Sequence, residues 1–448
     1  MALSGIQIFK LLPKTNCGEC GVPTCLAFAM NLAAGKAELD ACPYVSDEAR
    51  EQLAEASAPP IRPVKFGYGD TAKTVGGETV LFRHEKTFFN PCTICGTVSD
   101  TDADIAAKVK KWAGFKWERV GLILRPEAVF IKCASGDAGK FQAAVQAVVD
   151  NSDLSFVLGC EDPAVMGPVA EAFKDKKPVL YAATQANADK MAAIANAAGC
   201  PLVVKGVDLD EVLALTTELT EAGYKDLVID TGARDLAGAF VDQIAIRRAA
   251  LLEKNRALGF PTIVFPGEMG EDTGDQVAAA AMFVAKYGGI LVMDDMDAET
   301  VFPLLLERLN IYTDPQRPMT VTQGIYEIGG PTADSPVLVT TNFSLTYFIV
   351  TGEIESSRVP AWVLIKDTEG LSVMTAWAAG KFSGDEVGMF IRKSGIDEKV
   401  NHKTLIIPGY AASIVGDLEE ELPGWSIKVG PREAAHLAKY LKEWKPEA

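Results

Sequence analysis

Short, nearly continuous apolar runs recur along most of the chain, separated by longer stretches in which apolar positions return every three or four residues. The runs are TVLFR at 79–83, AVFIKC at 128–133, SFVLGC at 155–160, PVLYAA at 178–183, PLVVKG at 201–206, DLVIDTG at 226–232, PTIVFPG at 261–267 and GILVMDD at 289–295. Runs of this length, bounded by Gly, Pro or Asp, are the pattern of strands buried on both faces. Ala-rich amphipathic segments follow them, such as 103–114, 137–150 and 298–310. Eight βα units within roughly 230 residues predict a central (β/α)8 TIM barrel.

Pro and Gly break the periodicity at 311–319 and 329–336. Four further βα units then follow, with strands at 337–342, 361–367, 403–409 and 425–430 and a last helix over 431–444. They predict an open, mostly parallel sheet of flavodoxin/Rossmann-like type, whose ligands bind beyond the carboxyl ends of the strands. Those ends are Thr340-Thr341-Asn342, the loop from Asp367 to Ser372, Pro408-Gly409-Tyr410-Ala411 and Gly430-Pro431. Small residues there either line a ligand or make ordinary βα turns. Neither G-x-G-x-x-G nor G-x-x-x-x-G-K-[ST] is present, which disfavours nicotinamide and P-loop nucleotides.

The first 57 residues read differently. Cys17, Cys20, Cys25 and Cys42 have the spacing C-x2-C-x4-C-x16-C, with Gly18, Gly21 and Pro23 allowing a tight loop. A helix is expected after Cys25, ending at Gly35, so that Cys25 sits where the helix dipole favours negative charge. Four thiolates suit a [4Fe-4S] cluster. Structural zinc is the rival, although zinc sites usually pair two short C-x2-4-C knuckles and only the first half has that form. A polar helix at 46–56 leads into a stretch rich in Pro and Gly at 57–70. The expected organisation is a cluster domain over 1–57, a linker over 58–75, the barrel over 76–318 and the terminal domain over 319–448.

Composition narrows the partners. The 43 Lys+Arg against 60 Asp+Glu give a net charge of −17, which makes nucleic acid and anionic membranes poor partners. No signal-like leader and no run of 18 apolar residues is present, so a cytoplasmic protein is expected. Nine cysteines in such a chain point to metal or redox use. Cys92 and Cys95 read as buried thiols in preference to a redox dithiol, and Cys133, Cys160 and Cys200 as core packing. At the barrel's carboxyl-terminal strand ends stand Cys160, Glu161, Asp162, Asp230, Arg234, Glu268, Asp294 and Asp295. They form no recognisable catalytic constellation, and the carboxylates fit helix caps equally well.

With the string IFKLLPKTNCGECGVPTCLAFA near its start, this order of segments resembles the large (gamma) subunits of corrinoid iron-sulfur proteins of the reductive acetyl-CoA pathway. The resemblance covers essentially the whole chain. It implies a [4Fe-4S] cluster on Cys17, Cys20, Cys25 and Cys42, and a cobamide in the terminal domain. The implied function is methyl carriage: Co(I) accepts a methyl group from methyltetrahydrofolate through a partner methyltransferase, and methyl-Co(III) delivers it to acetyl-CoA synthase/CO dehydrogenase. A small subunit would complete a heterodimer, and a low-potential donor would feed the cluster, which returns Co(II) to Co(I). The chain would then be the carrier component of a methyltransferase system, with its chemistry at cobalt and no catalytic side chain.

The implied corrin contacts are Thr340 and Thr346, Gly370, Leu371, Ser372, Val373 and Thr375, Gly409, Tyr410 and Ala411, and Glu433. None of His84, His402 and His436 lies in a D-x-H-x-x-G motif, so a base-off cobamide without a protein histidine on cobalt is expected. The stretches 57–70 and 311–336 are candidate hinges. Two alternatives stay open: a low-potential Fe-S flavoprotein for electron transfer, and a pterin-dependent methyltransferase whose barrel uses Asp230 or Asp294.

Overall fold

In a computed structural model of the chain, which describes residues 5–33, 37, 39–46, 49–50, 53, 58–119, 122–314 and 318–445, eight parallel strands curl into a ring. They are Thr93–Ser99, Ala128–Lys132, Ser155–Gly159, Val179–Ala183, Leu202–Lys205, Leu227–Asp230, Ile263–Val264 and Ile290–Met293, adjacent in chain order. The eighth pairs with the first, Ile290 opposite Thr93, and a single parallel bridge from Ile229 to Thr262 joins the sixth to the seventh. Inward-facing Cys95, Phe130, Val157, Tyr181, Val203, Val228, Ile263 and Val292 fill the interior.

The expected first strand is displaced. Residues 79–83 are irregular and Phe82 is 46% exposed, whereas Thr93–Ser99 is buried through Gly96 and again at Val98. A barrel strand is buried on both faces, which the second segment satisfies and the first does not. Part of the stretch expected as linker is also ordered into the barrel. Val64–Phe66 and Lys73–Val75 form an antiparallel pair, and Val64, Phe66 and Val75 join the interior cluster. Gly67 N–H donates to Lys177 O at 2.8 Å, so the hairpin plugs the amino-terminal end.

By packing, the chain divides into two units. One runs to Phe115 and from Arg125 to Tyr312; the other comprises Lys116–Leu124 and everything from Thr313 onward. The second unit holds a five-stranded sheet. Its four parallel strands occur in the order Ala361–Lys366, Val337–Thr341, Thr404–Ile407 and Ser426–Val429. An antiparallel edge strand, Gly324–Ile328, pairs with Ala361–Lys366 and occupies part of the stretch 311–336 expected as a hinge. Alternate strand residues face opposite layers, as period-two geometry requires. Val337, Val339, Leu364, Leu405 and Ile407 pack with Phe390, Ile391 and Leu418 on one side. Leu338, Val363, Ile365 and Ile406 pack with Ile354, Leu437 and Leu441 on the other. Among the described residues no helix is long and apolar enough to cross a membrane.

One buried ion pair ties the ring to its helices. Arg308, on the helix Ala298–Ile311, donates to both oxygens of Glu127 at 2.8 and 2.6 Å and to Cys92 O at 2.6 Å. Lys73 of the plug reaches the same carboxylate at 3.0 Å. Burial alone would push Glu127 upward, but Arg308 and Lys73 more than offset it and hold the carboxyl below its usual range. A depressed carboxyl stabilises the fold above its unfolded pKa of about 4.3, and this contribution is lost as pH falls through the lower folded value. Removing one partner strands the other charge. Glu127→Ala is expected to destabilise the barrel by about 3–5 kcal/mol, read as a lowered thermal midpoint at pH 7. The deficit relative to the parent should shrink in acid.

Candidate functional site

The cysteine loop is shaped by backbone conformation. Asn16 (φ +50°), Gly18 (φ +77°) and Gly21 (φ +82°) are left-handed, and Gly21 N–H closes a turn on Gly18 O at 3.0 Å. An added Cβ at either glycine would meet nothing within 4 Å, so it is φ that calls for glycine. Asn16 clamps the loop to the helix Cys25–Ala33: its Oδ1 accepts from Cys25 N–H at 2.8 Å, and its own N–H donates to Cys25 Sγ at 3.4 Å. Cys25 and Cys42 are buried, Cys20 is half-buried and Cys17 exposed. The first three share an apolar cluster with Phe28 and Leu12.

Tyr44 stands beside this group and donates to Glu19 Oε1 at 2.8 Å. That bond and the charge of Glu19 push its hydroxyl upward, with smaller contributions from Cys17 and Cys42. Among the described residues no three His, Cys, Asp or Glu side chains converge on one ion. The expected helix end at Gly35 and most of the expected helix at 46–56 lie outside the described residues.

At the carboxyl-terminal mouth of the barrel the strand-end residues are largely engaged with one another. Arg234 grips Asp230 with both terminal nitrogens at 3.0 and 2.8 Å, reaches Tyr181 Oη at 3.1 Å and bonds Glu268 through Nε at 2.9 Å. Tyr181 donates to Asp230 at 2.8 Å; burial, then the Asp230 charge, push its hydroxyl far upward. Lys205 pairs with Glu161 at 2.7 Å, Asp162 caps the helix Pro163–Phe173 and Gln276 donates to Asp294 at 3.0 Å. Asp295 accepts from Met296 N–H at 2.7 Å. A cavity of about 580 Å³ remains above them, lined also by Lys132, Cys133 and Cys160.

In the second unit a crevice opens between the ends of Val337–Thr341 and Thr404–Ile407. These are the neighbours between which the strand order reverses, the place where such sheets bind ligands. Thr340, Thr346, Val373 and Tyr410 line it, with Pro408 and Arg432. Thr340 and Thr341 are 3% and 0% exposed and their hydroxyls have no hydrogen-bond partner, an arrangement that costs free energy unless something accepts the bond. Gly409 lets two loops meet: a Cβ there would lie 2.6 Å from Arg432 N. Tyr410 donates to Glu433 at 2.6 Å, and Ala411 is buried beneath the turn.

Gly370 (φ +77°) and Leu371 form the neighbouring loop, and Ser372 bonds Thr375 at 3.1 Å on the exposed start of Val373–Ala378. The crevice holds only about 130 Å³, less than the 300–1,000 Å³ of a typical small-ligand pocket. A large ligand would therefore rest on its rim. Leu345, Met374, Trp377 and Tyr410 are all exposed there by more than two-fifths of their surface.

The family model described as CO dehydrogenase/acetyl-CoA synthase delta subunit matches residues 63–441, and a model of an Fe-S cluster segment matches residues 12–44. The corrinoid/iron-sulfur protein large subunit of Moorella thermoacetica is 45% identical over 99% of both chains. The chain belongs to the corrinoid/iron-sulfur large-subunit family. Acetyl-CoA decarbonylase/synthase gamma subunits agree, that of Methanopyrus kandleri at 38% identity over 98% of both chains and that of Archaeoglobus fulgidus at 34% over 99%. The model's description says delta where the relatives are gamma or large subunits; the full-length matches, which include the cysteine segment, decide between them.

Two residues of the chain escaped the sequence reading as site residues. Asn16 has a signal only in hindsight, as a helix cap placed just before the first cysteine. Asn342 ends the strand Val337–Thr341 and joins it to its neighbour. Its Oδ1 accepts from Thr368 N–H, Thr368 Oγ1–H and Gly370 N–H at 3.0, 3.1 and 3.0 Å, and its Nδ2 donates to Asp367 at 2.8 Å. Asn342→Ala leaves buried donors unmet, at a cost of about 1–3 kcal/mol. Faster hydrogen exchange at the Thr368 and Gly370 amides, with Val337–Thr341 core amides unchanged, is the expected outcome.

Proposed function

We propose that this chain is a methyl carrier that holds a cobamide over the crevice of its second unit and a [4Fe-4S] cluster on Cys17, Cys20, Cys25 and Cys42. The observation that carries the reading is the buried, unsatisfied hydroxyl of Thr340 in the wall of the crevice at the strand reversal, in a chain that also carries the cysteine quartet. When bound, the cobamide supplies a cobalt centre that takes a methyl group from methyltetrahydrofolate by way of a methyltransferase and yields it to acetyl-CoA synthase/CO dehydrogenase, while the cluster supplies the electron that returns oxidised cobalt to its reactive state. A small subunit, a low-potential electron donor and a cytoplasmic setting complete the proposal.

The chain's own residues bind and orient. The Thr340 hydroxyl, in the crevice wall, meets a polar group on the ligand's edge. Thr346 and Val373 bound the crevice, with Gly370, Leu371 and Ser372 forming the loop beside it. Gly409 and Ala411 keep the opposite loop low, and Tyr410 is held by Glu433. Thr375 is exposed beside the crevice, its hydroxyl bonded to Ser372 at 3.1 Å, and would contact the ligand without coordinating the metal.

No histidine competes for the metal from the crevice wall. Among the described residues none of the three lines it. His402 is spent on Ser335 O at 2.9 Å and Thr404 N–H at 3.2 Å. This supports a cobamide without a protein histidine on cobalt, the base-off form being part of the proposal, and a protein nitrogen or oxygen on cobalt in the EPR spectrum would contradict it. At the cluster, the Asn16 N–H and the dipole of Cys25–Ala33 favour the negatively charged centre.

Anaerobic purification of the chain with its co-purifying partner, followed by metal analysis and visible spectroscopy, tests the reading. Stoichiometric cobalt with about four iron atoms per chain and a corrin spectrum is expected; flavin absorbance without cobalt overturns it. The division of labour has its own test. Cys20→Ala should leave methyl transfer from pre-reduced protein nearly intact but abolish reductive reactivation, and equal loss of both would refute it.

A further inference from the structure

The cysteine spacing that draws the eye in the barrel, Cys92 and Cys95, is not a pair in space. The two are 1% and 0% exposed and pack into different clusters, Cys92 with Phe283 and Val284 and Cys95 with the barrel interior. Residues three apart on a strand face opposite sides, and burial pushes the Cys92 thiol up to about 12.

Cys133 and Cys160, distant in sequence, are brought together by strand register. Lys132 pairs with Gly159, so the next residues along these parallel neighbours, Cys133 and Cys160, stand side by side. The ladder continues through them: Cys133 N–H donates to Gly159 O at 2.8 Å and Cys160 N–H to Tyr181 O at 2.6 Å. Adjacent strands lie about 4.8 Å apart, inside the 4.4–6.8 Å window of Cα separations that a disulfide tolerates. Each thiol shifts the other's ionisation, and Cys160 Sγ also donates to Asp162 O at 3.7 Å.

Both side chains form part of the wall of the open cavity at the barrel mouth, between Lys132 and Glu161, and Cys133 is half-buried where the other barrel cysteines are buried. Asp100 fixes the adjoining loop, accepting from Ala134 N–H at 2.8 Å and from Ser135 Oγ–H at 2.5 Å. The pair thus combines fixed backbones, adjacent register positions and access for a small molecule.

We propose that Cys133 and Cys160 are a redox-active dithiol at the mouth of the barrel, which closes reversibly into a disulfide by exchange with a small-molecule disulfide. In the first step one Cys sulfur displaces a thiol from the reagent and forms a mixed disulfide. In the second the other Cys sulfur displaces the remaining thiol. The protein loses two protons and two electrons, and the reagent is reduced to two thiols. Burial pushes Cys133 up to about 12 and Cys160 upward as well. The scarcity of thiolate makes the pair a slow exchanger, so it is tested at equilibrium.

The full chain with its co-purifying partner is equilibrated anaerobically in glutathione buffers from fully reduced to fully oxidised, quenched in acid, alkylated and mapped by mass spectrometry. The expected result is a Cys133–Cys160 cross-linked peptide at the oxidising end, reversed by excess reductant. In Cys133→Ser and Cys160→Ser the link disappears and the remaining cysteine carries glutathione. Finding both cysteines of the parent chain alkylated as free thiols, or each carrying its own glutathione at the oxidising end, would overturn the proposal.

Discussion

The reversal of strand order between Val337–Thr341 and Thr404–Ile407 is the constraint on which the binding reading depends. Loops leaving these two strands run to opposite faces of the sheet, so a gap opens between them that neither layer of helices covers. The two threonines at the end of the first strand are buried by the same geometry that deprives their hydroxyls of partners. Asn342 spans to the Asp367–Gly370 loop and holds one side of the gap, and Gly409 lets the other side fold close to Arg432. Together these set a small, mostly apolar crevice with the Thr340 hydroxyl in its wall.

The barrel solves a different problem. Its interior is occupied by edge-to-face contacts among Phe130, Tyr181 and Phe265, with ring centroids 5.4 to 5.5 Å apart. Arg234 pairs with both Asp230 and Glu268 above that layer. A buried acid saturated by Arg234, the Tyr181 hydroxyl and the Gly232 N–H has little capacity left for proton transfer. This weighs against a catalytic barrel built on Asp230 and leaves its mouth to Cys133 and Cys160. The barrel's solidity comes from below, where Glu127, Arg308 and Lys73 hold plug, ring and last helix to one charge cluster.

Strand pattern was most legible where burial on both faces produced uninterrupted apolar runs. Seven barrel strands and the four parallel strands of the second sheet fall in their expected places. Thr93–Ser99 was missed because Gly96 and two threonines break its apolar run. The glycine is imposed by distant chain, since a Cβ there would lie 2.9 Å from both Met296 and Trp112. The edge strand Gly324–Ile328 is only half-buried and carries no continuous run. Among site residues, the cysteine quartet shows in spacing alone. Asn16, Asn342 and the pairing of Cys133 with Cys160 arise from loop closure and register, which no local pattern encodes.

The most direct measurement is the metal content of Thr346→Trp, purified anaerobically with the co-purifying partner. Thr346 is half-buried on the helix Ser344–Ser357 and lines the crevice, so an indole there fills the gap while the cysteine loop is untouched. Cobalt is predicted to fall several-fold with iron per chain unchanged. Full cobalt at the same iron content would place the corrinoid elsewhere and contradict the account.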